Sequence, residues 1–222
     1  MLYPYYVKAP LLYRILCPFV ASLYDSLLYR EAYGAENVPT EGPCILASNH
    51  VSYLDPPAIG SSLYREVFFL SRPLLPKRFL KTRLGAWLLK SLNLSMIQGK
   101  WKAIEAVKCI LNLLAQESCV LIFLEGTRSS DGTIQKAKDG IGLLACRTHV
   151  PVVPARVFGA YEILNRHHTF PDIRHPMDIV YGAPLSPEDY DPGKDHPYRY
   201  TEAARRIIAA IADLKPPPIP CI

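Results

Sequence analysis

Residues 44–57 read Cys-Ile-Leu-Ala-Ser-Asn-His-Val-Ser-Tyr-Leu-Asp-Pro-Pro, an apolar run followed by a polar loop that ends at two prolines. The run Cys44–Ser48 has the length of a buried strand, and prolines are common in the first turn of a helix. This order predicts a strand whose carboxyl end leads through a short loop into a helix. Units of this kind build the α/β folds.

The alternation of short apolar runs with longer periodic segments continues along the chain. Further strands are predicted at Val67–Ser71, Leu94–Ile97, Cys119–Leu124, Val152–Val157 and Ile179–Tyr181. Helices are predicted at Pro57–Ser62, Lys77–Leu92, Trp101–Gln116, Ile141–Arg147 and Arg199–Leu214. This pattern predicts the α/β class, with a mixed and largely parallel sheet flanked by helices.

An arm rich in tyrosine and leucine precedes these elements. Tyrosines with an apolar body and a polar tip suit a membrane interface, but a helix packed on the core would use the same residues, so both interpretations stay open. The longest charge-free runs are shorter than the roughly 18 residues of a spanning helix, and we expect no ordinary transmembrane helix. The predicted organisation is a membrane-interface helical arm over 1–32, an α/β domain over 33–215 and a proline-rich tail over 216–222.

Positive charge is concentrated in one part of the chain. The 222 residues have a formal net charge of +5, but residues 72–102 hold eight lysines or arginines and no acidic residue. The other residues carry 17 basic and 20 acidic side chains. Such a block indicates an anionic partner, which could be a membrane surface, nucleic acid or an acidic protein.

The six scattered cysteines form no Cys-x-x-Cys pair and predict thiols in a reducing compartment.

Two histidines are each followed five positions later by an aspartate, which could hold the imidazole of a general base in one tautomer. His50 directly follows the predicted strand Cys44–Ser48, and open α/β sheets place their ligand sites at the carboxyl ends of strands. His167 and Asp172 have the same spacing but lie in a polar loop with no strand before it. We therefore predict that His50 and Asp55 carry the chemistry and that the second pair is a coincidence.

A second candidate site directly follows the predicted strand Cys119–Leu124. Its residues are Glu125-Gly126-Thr127-Arg128. Gly126 allows close backbone approach to a ligand, Thr127 offers a hydroxyl, and the planar guanidinium of Arg128 matches phosphate oxygens. The alternative is a turn whose glycine serves only the backbone geometry. The chain has no phosphate-binding Gly-x-x-x-x-Gly-Lys loop, no Gly-x-Ser-x-Gly elbow and no usual metal-ligand spacing, so no metal is expected.

Four short motifs follow one another along the chain. They are Asn49-His50 with Asp55, Glu125-Gly126-Thr127-Arg128, Lys138-Asp139-Gly140 and Val150-Pro151-Val152-Val153-Pro154. In this order they resemble the motifs of the 1-acyl-sn-glycerol-3-phosphate acyltransferase family, within the glycerolipid acyltransferases. The similarity extends from about Tyr33 to about Gly159, which is well over half of the chain.

The resemblance implies transfer of a fatty acyl group from a thioester donor, acyl-CoA or acyl-carrier protein, to the free hydroxyl of lysophosphatidate, giving phosphatidate without another cofactor. It implies that His50 is the general base and that Asp55 orients it. The implied substrate-binding residues are Glu125, Gly126, Thr127, Arg128 and Lys138.

Two alternatives to this function stay open. The acceptor could be glycerol 3-phosphate or another lysophospholipid, and the chain could be a non-catalytic membrane or nucleic-acid binding module. The preferred interpretation has a membrane lipid surface and the acyl donor as partners, and no nucleic acid. It places the protein at the cytoplasmic face of a membrane as a peripheral or monotopic protein.

Overall fold

The computed structural model of the protein describes residues 11–28, 30–63, 65–71, 82–83, 94–96, 103–168 and 170–216. The strands within these ranges are β1 Glu31–Tyr33, β2 Cys44–Ser48, β3 Val67–Ser71, β4 Leu94–Met96, β5 Cys119–Phe123, β6 Val152–Phe158 and β7 Asp178–Tyr181. The helices are α1 Leu11–Leu27, α2 Asp55–Ser62, α3 Ala103–Ala115, α4 Asp139–Thr148, α5 Ala160–Leu164, α6 Pro187–Tyr190 and α7 Arg199–Asp213.

The described strands form one seven-stranded sheet in the order β1-β7-β6-β2-β5-β3-β4. The five strands from β6 to β4 are parallel, whereas β7 runs antiparallel to β6 and β1 runs parallel to β7. The predicted mixed, largely parallel sheet is confirmed. Because the neighbours of β2 are β5 on one side and β6 on the other, the carboxyl end of β2 lies at a topological switch point, where α/β folds bind ligands.

Side chains alternate across the sheet and build a hydrophobic layer on each face. On β2, Cys44 and Leu46 join the layer that contains Tyr24 of α1. Ile45 and Ala47 join the opposite layer, to which α3, α4 and α7 contribute. A central strand that is buried on both faces has a continuous apolar sequence, which is why this strand could be predicted from a short run.

Most predicted elements correspond to observed ones within the described residues. The predicted strand Val152–Val157 is extended by one residue in β6, and the predicted helix Ile141–Arg147 is the centre of the longer α4. The predicted helix Lys77–Leu92 and most of the basic stretch lie outside the described residues. The elements β1, α5 and α6 were not predicted, because three to five residues are too few for a hydrophobic period to show.

The predicted boundary between arm and domain, after residue 32, falls inside β1. Glu31–Tyr33 pairs in register with Asp178–Val180 of β7, and the N–H of Glu31 donates to the carbonyl of Met177 at 3.1 Å. The sheet therefore begins before the predicted boundary. Most of the predicted tail, residues 217–222, lies outside the described residues.

Helix α1 packs with one face on α2. The hydroxyl of Tyr24 donates to the carbonyl of Leu54 at 3.3 Å, and the thiol of Cys17 donates to the carbonyl of Gly60 at 3.4 Å. The opposite face is an exposed apolar stripe of side chains four residues apart, Leu11, Ile15, Phe19, Leu23 and Leu27. The arm therefore packs on the core and also presents an apolar surface to solvent. Within the described ranges, no helix combines the length and hydropathy that crossing a bilayer requires.

Candidate active site

Asn49 continues the pairing of β2 with β6 beyond the end of the strand. Its side-chain amide donates to the carbonyl of Val157 at 3.1 Å, and its side-chain oxygen accepts the N–H of Val157 at 2.8 Å. This pair of bonds satisfies buried backbone groups of β6 and fixes the chain where β2 ends. The next residue, His50, therefore starts the following loop from a fixed position.

The loop after Asn49 turns back so that Asp55, the first residue of α2, meets His50. Oδ2 of Asp55 lies 2.8 Å from Nδ1 of His50. The same oxygen accepts the backbone N–H groups of Val51 and Ser52, each at 2.8 Å. A carboxylate in the first turn of a helix is also favoured by the helix dipole. The structure thus brings together the two residues predicted as a pair.

The surroundings of the His50 ring fix its orientation. The side chain of Asp55 is fully buried, whereas that of His50 is 17% exposed. A carboxylate beside Nδ1 favours the tautomer with the proton on that nitrogen and leaves Nε2 free to accept another. The ring of Phe123 stacks on the imidazole, with 3.9 Å between centroids and 15° between planes. This geometry suits a general base that takes a proton on Nε2.

The second pair with the same spacing is not brought together. Asp172 accepts a hydrogen bond from Nε of Arg174 at 2.7 Å, and this bond holds the pKa of Asp172 well below its usual range. His167 is exposed, and its backbone N–H donates to the side-chain oxygen of Asn165 at 2.9 Å. Among the residues that the structure describes, no group of three or more His, Cys, Asp or Glu side chains could hold a metal ion.

The segment that follows β5 lies beside the loop that follows β2. The N–H of Ser129 donates to the carbonyl of His50 at 2.7 Å, and the N–H of Lys138 donates to the carbonyl of Leu124 at 2.9 Å. The first bond holds the end of the Glu125–Arg128 turn next to the histidine, and the second brings Lys138 beside the start of the same turn. The residues predicted to bind substrate and the residues predicted to act on it therefore meet at the carboxyl ends of β2 and β5.

Gly126 is required at its position by its backbone conformation. Its φ is +69°, and a Cβ atom there would lie 2.8 Å from Nζ of Lys138 and 3.2 Å from Cδ and Cε of the same side chain. Residues with a side chain rarely adopt this backbone conformation. Lys138 therefore lies across the turn, and it is exposed together with Gly126 and Thr127. Its ammonium group lies on the same turn as Arg128.

Arg128 places its guanidinium at the carboxyl ends of β2 and β5. Its guanidinium carbon lies 3.5 Å from the centroid of the Tyr53 ring. Its Nη1 is buried and has no hydrogen-bond partner among the described residues. A buried guanidinium N–H without a partner is a strong donor for a phosphate or carboxylate oxygen. The arrangement can bind an anion next to the histidine.

Glu125 is a buried carboxyl group at the same turn. It is 4% exposed, and neither side-chain oxygen has a hydrogen-bond partner among the described residues. Burial raises its pKa to about 7, although the nearby backbone amides of Gln135 and His50 act against the rise. A carboxyl group that is partly neutral near pH 7 can donate a hydrogen bond as well as accept one.

This pKa predicts a pH-dependent stability. Because the pKa of Glu125 is raised from 4.5 to about 7, the folded chain binds more protons than the unfolded chain between these values. The contribution of Glu125 to the free energy of unfolding therefore decreases as pH rises through this window. We expect Glu125→Gln to raise the free energy of unfolding by about 1–2 kcal/mol at pH 8, with little difference at pH 4.

Denaturant unfolding at both pH values measures this effect. Glu188→Gln is the matched control, because Glu188 is exposed and its bond with Ser186 lowers its pKa. This control should show no gain at pH 8. If Glu125→Gln shows the same pH dependence as the parent, the carboxyl group is not protonated as described.

A cavity of about 130 Å³ lies beside the loop that follows β2. Asn49, Val51, Phe158 and Tyr161 are among the residues that line it. Sites for drug-sized ligands are commonly 300 Å³ or more, so this cavity is too small for a fatty acyl chain.

Two aromatic residues of the site, Phe123 and Tyr53, were not predicted from the sequence. Phe123 is the last residue of β5, and it reaches the imidazole because its register partner on β2 is Ser48. Tyr53 lies in the middle of the loop and meets a side chain from the turn after β5. Both contacts depend on the pairing of β2 with β5, and no local pattern in either segment indicates that pairing.

Comparisons with known proteins point to one family. A family model described as Acyltransferase matches residues 30–157. The 1-acyl-sn-glycerol-3-phosphate acyltransferase BAT2, chloroplastic, of Brassica napus is 30% identical over 154 residues, covering 66% of this chain and 43% of the relative. The LPAT1 protein, chloroplastic, of Arabidopsis thaliana, with the same enzyme name, is 29% identical over 154 residues, covering 66% of this chain and 42% of the relative. The chain thus spans less than half the length of these relatives.

A solved structure shares the fold. The crystal structure of the 1-acyl-sn-glycerophosphate (LPA) acyltransferase PlsC from Thermotoga maritima superposes with a TM-score of 0.63 and 22% sequence identity. The match covers 91% of this chain and 81% of that one. It supports the α/β architecture with helices around a mostly parallel sheet.

Proposed function

Since this chain belongs to the acyltransferase family, whose model matches residues 30–157, we propose that it transfers a fatty acyl group from a thioester to the free hydroxyl of lysophosphatidate, giving phosphatidate. The observation that carries the proposal is the bond between His50 and Asp55 at the switch point of the sheet. The acceptor is supported by the name 1-acyl-sn-glycerol-3-phosphate acyltransferase that both plant relatives bear. The donor is acyl-CoA or acyl-carrier protein.

The proposed reaction uses His50 as general base. Nε2 takes the proton of the acceptor hydroxyl while the oxygen attacks the thioester carbonyl, and Asp55 stabilises the imidazolium that forms. The tetrahedral intermediate then expels the thiolate, which receives the proton from His50. The acyl group ends as an ester, and the donor leaves as a free thiol. Because a thioester is already activated, this route requires a base and no cofactor besides the donor.

The turn after β5 is proposed to hold the phosphate of the acceptor. Arg128 supplies a buried N–H that has no partner within the part of the chain that the structure describes, and Lys138 supplies an ammonium group across Gly126. Thr127 is exposed on the same turn and offers its hydroxyl and backbone amide. Glu125 faces less repulsion from the phosphate when it is protonated. A phosphate fixed here would keep the acceptor hydroxyl near His50 and so raise its effective concentration.

The apolar stripe of α1 supports attachment to one leaflet of a membrane. Its side chains face solvent along a helix of 17 residues whose other face is buried on the core. A helix with one apolar exposed face can lie in the interface between lipid and water. We propose peripheral or monotopic attachment at the cytoplasmic face of the membrane. The cytoplasm is reducing, and free thiols such as the buried ones of Cys44 and Cys119 persist there.

Vesicle flotation tests the role of this stripe. Replacing Ile15 and Phe19 together by serine should reduce the vesicle-bound fraction at least 10-fold, because two large apolar side chains are lost from the lipid contact. The control replaces Ile104 and Tyr198 by serine, since both are exposed residues outside α1. Equal flotation of the two double variants would contradict attachment through α1.

An activity assay tests the proposed function. Purified protein is incubated with a thioester donor and lysophosphatidate, and free thiol and phosphatidate are measured. We expect both products in equal amounts, with kcat/KM higher for lysophosphatidate than for glycerol 3-phosphate or other lysophospholipids. The proposal fails if acyl-CoA and acyl-carrier protein give no product with any of these acceptors.

A further inference from the structure

We propose that Tyr53 is a positioning residue that favours phosphate-bearing acceptors by holding the guanidinium of Arg128 against its ring. The inference rests on the proposed function and adds a residue that prepares the phosphate-binding side chain. It is carried by the distance of 3.5 Å between the guanidinium carbon and the ring centroid. At this distance, the guanidinium lies on the face of the ring.

The backbone around Tyr53 is fixed from both sides. The N–H of Ser52 donates to Oδ2 of Asp55 at 2.8 Å, and the N–H of Leu54 donates to Oγ of Ser52 at 3.1 Å. The hydroxyl of Ser52 in turn donates to the carbonyl of Leu164 at 2.6 Å. Tyr53 is 50% exposed, and these bonds fix the backbone from which its ring reaches Arg128.

The backbone next to Arg128 is fixed as well. The N–H of Ser129 donates to the carbonyl of His50 at 2.7 Å. A free arginine side chain has many rotamers, and binding an anion with it costs conformational entropy. Stacking on Tyr53 removes part of this cost before the acceptor arrives. The ring covers one face of the guanidinium, and hydrogen bonds to phosphate oxygens form in the guanidinium plane, so stacking and phosphate binding use different directions.

This arrangement predicts which kinetic constant depends on Tyr53. The ring acts on Arg128, which is proposed to bind the phosphate of the acceptor, and the bond between His50 and Asp55 does not involve Tyr53. Replacing Tyr53 should therefore raise KM for lysophosphatidate and leave kcat nearly unchanged. The tyrosine hydroxyl has no part in the stacking, so another aromatic ring should replace it.

The experiment compares three variants of Tyr53 in steady-state acyl transfer to lysophosphatidate. Tyr53→Leu should raise KM about 3- to 30-fold, with kcat within about threefold of the parent. Tyr53→Phe and Tyr53→Trp should keep KM within about threefold. Tyr198→Leu, at a tyrosine that is 72% exposed and directly precedes α7, should behave as the parent. The inference is overturned if Tyr53→Leu leaves KM unchanged, or if Phe and Leu raise it equally.

A double-mutant cycle tests whether Tyr53 acts through Arg128. In an Arg128→Gln background, Tyr53→Leu should produce no further rise in KM, because the stacked partner is gone. If the two fold-changes multiply, the residues act independently and the inference is wrong. Thermal unfolding of each variant identifies any loss of folding, and Tyr53→Met provides a second non-aromatic variant, expected to match Tyr53→Leu.

Equilibrium binding separates this inference from the proposed function. A short-chain lysophosphatidate is titrated into the parent, Tyr53→Leu and Tyr53→Phe, and the dissociation constants should follow the KM values. Absence of turnover in the parent contradicts the proposed function. Equal dissociation constants for the parent and Tyr53→Leu contradict the positioning role, whether or not turnover is seen.

Discussion

His50→Ala should reduce kcat for acyl transfer about 10³- to 10⁴-fold while the protein remains folded, because the substitution removes the group that takes the hydroxyl proton. The bonds that shape the loop, from the N–H groups of Val51 and Ser52 to Asp55, do not involve the imidazole, so the loop should keep its fold without the ring. The remaining rate would come from positioning of donor and acceptor. Release of free thiol from the acyl donor measures kcat directly.

Two further variants make this prediction specific. His167→Ala should retain the activity of the parent, since Asp172 of the alternative pair is bonded to Arg174 instead. Asp55→Asn should lower kcat about 10²- to 10⁴-fold, because an amide cannot stabilise the imidazolium as a carboxylate does. If His50→Ala is as active as the parent, or if His167→Ala alone abolishes transfer, the general base has been assigned to the wrong residue.

Arg128→Ala should reduce kcat/KM for lysophosphatidate about 10²- to 10³-fold, mainly through KM. A planar guanidinium can make two charge-assisted hydrogen bonds to a phosphate, each contributing about 1.5–3 kcal/mol. Loss of about 3–4 kcal/mol corresponds to this fold-change. The effect should exceed that of Tyr53→Leu, which only prepares the same side chain. Steady-state kinetics over a range of acceptor concentrations separates KM from kcat.

The matched control is Arg205→Ala. Arg205 is an exposed arginine of α7 that pairs with Glu202 on the same helix, so its loss should leave kcat/KM unchanged. Arg128→Lys should recover only part of the lost affinity, because an ammonium group keeps the charge but not the planar pair of donors. If Arg128→Ala binds lysophosphatidate as the parent does, another residue must bind the phosphate. Lys138 would then be the next residue to substitute.

The central strands could be predicted from the sequence because their environment imposes a simple pattern. β2, β5 and β6 are buried on both faces, so each is a short apolar run between polar segments. The edge strand β1 has three residues, of which Glu31 and Ala32 are exposed, and it carries no such pattern. It exists because β7 offers it a partner in register. Stability supplied by a distant segment leaves little trace in the local sequence.

The pair of His50 and Asp55 could be predicted for a different reason. Five positions separate the residues, and one turn into the start of α2 is enough to bring the carboxylate to the imidazole. The bonds that shape this turn, from the N–H groups of Val51 and Ser52 to Asp55, are also made within the loop. A contact of this range depends on local backbone geometry, which the order strand, polar loop and proline pair already indicates.

The amino-acid sequence by itself determined the α/β class, the pair at the end of β2 and the residues of the turn after β5, because each depends on patterns within a few consecutive residues. The tertiary structure alone decided that this turn lies beside the pair, that Phe123 stacks on the imidazole and that Tyr53 holds Arg128. These contacts join segments about 70 residues apart in the chain. They follow from the pairing of β2 with β5, which is set by the burial of both faces of the whole sheet.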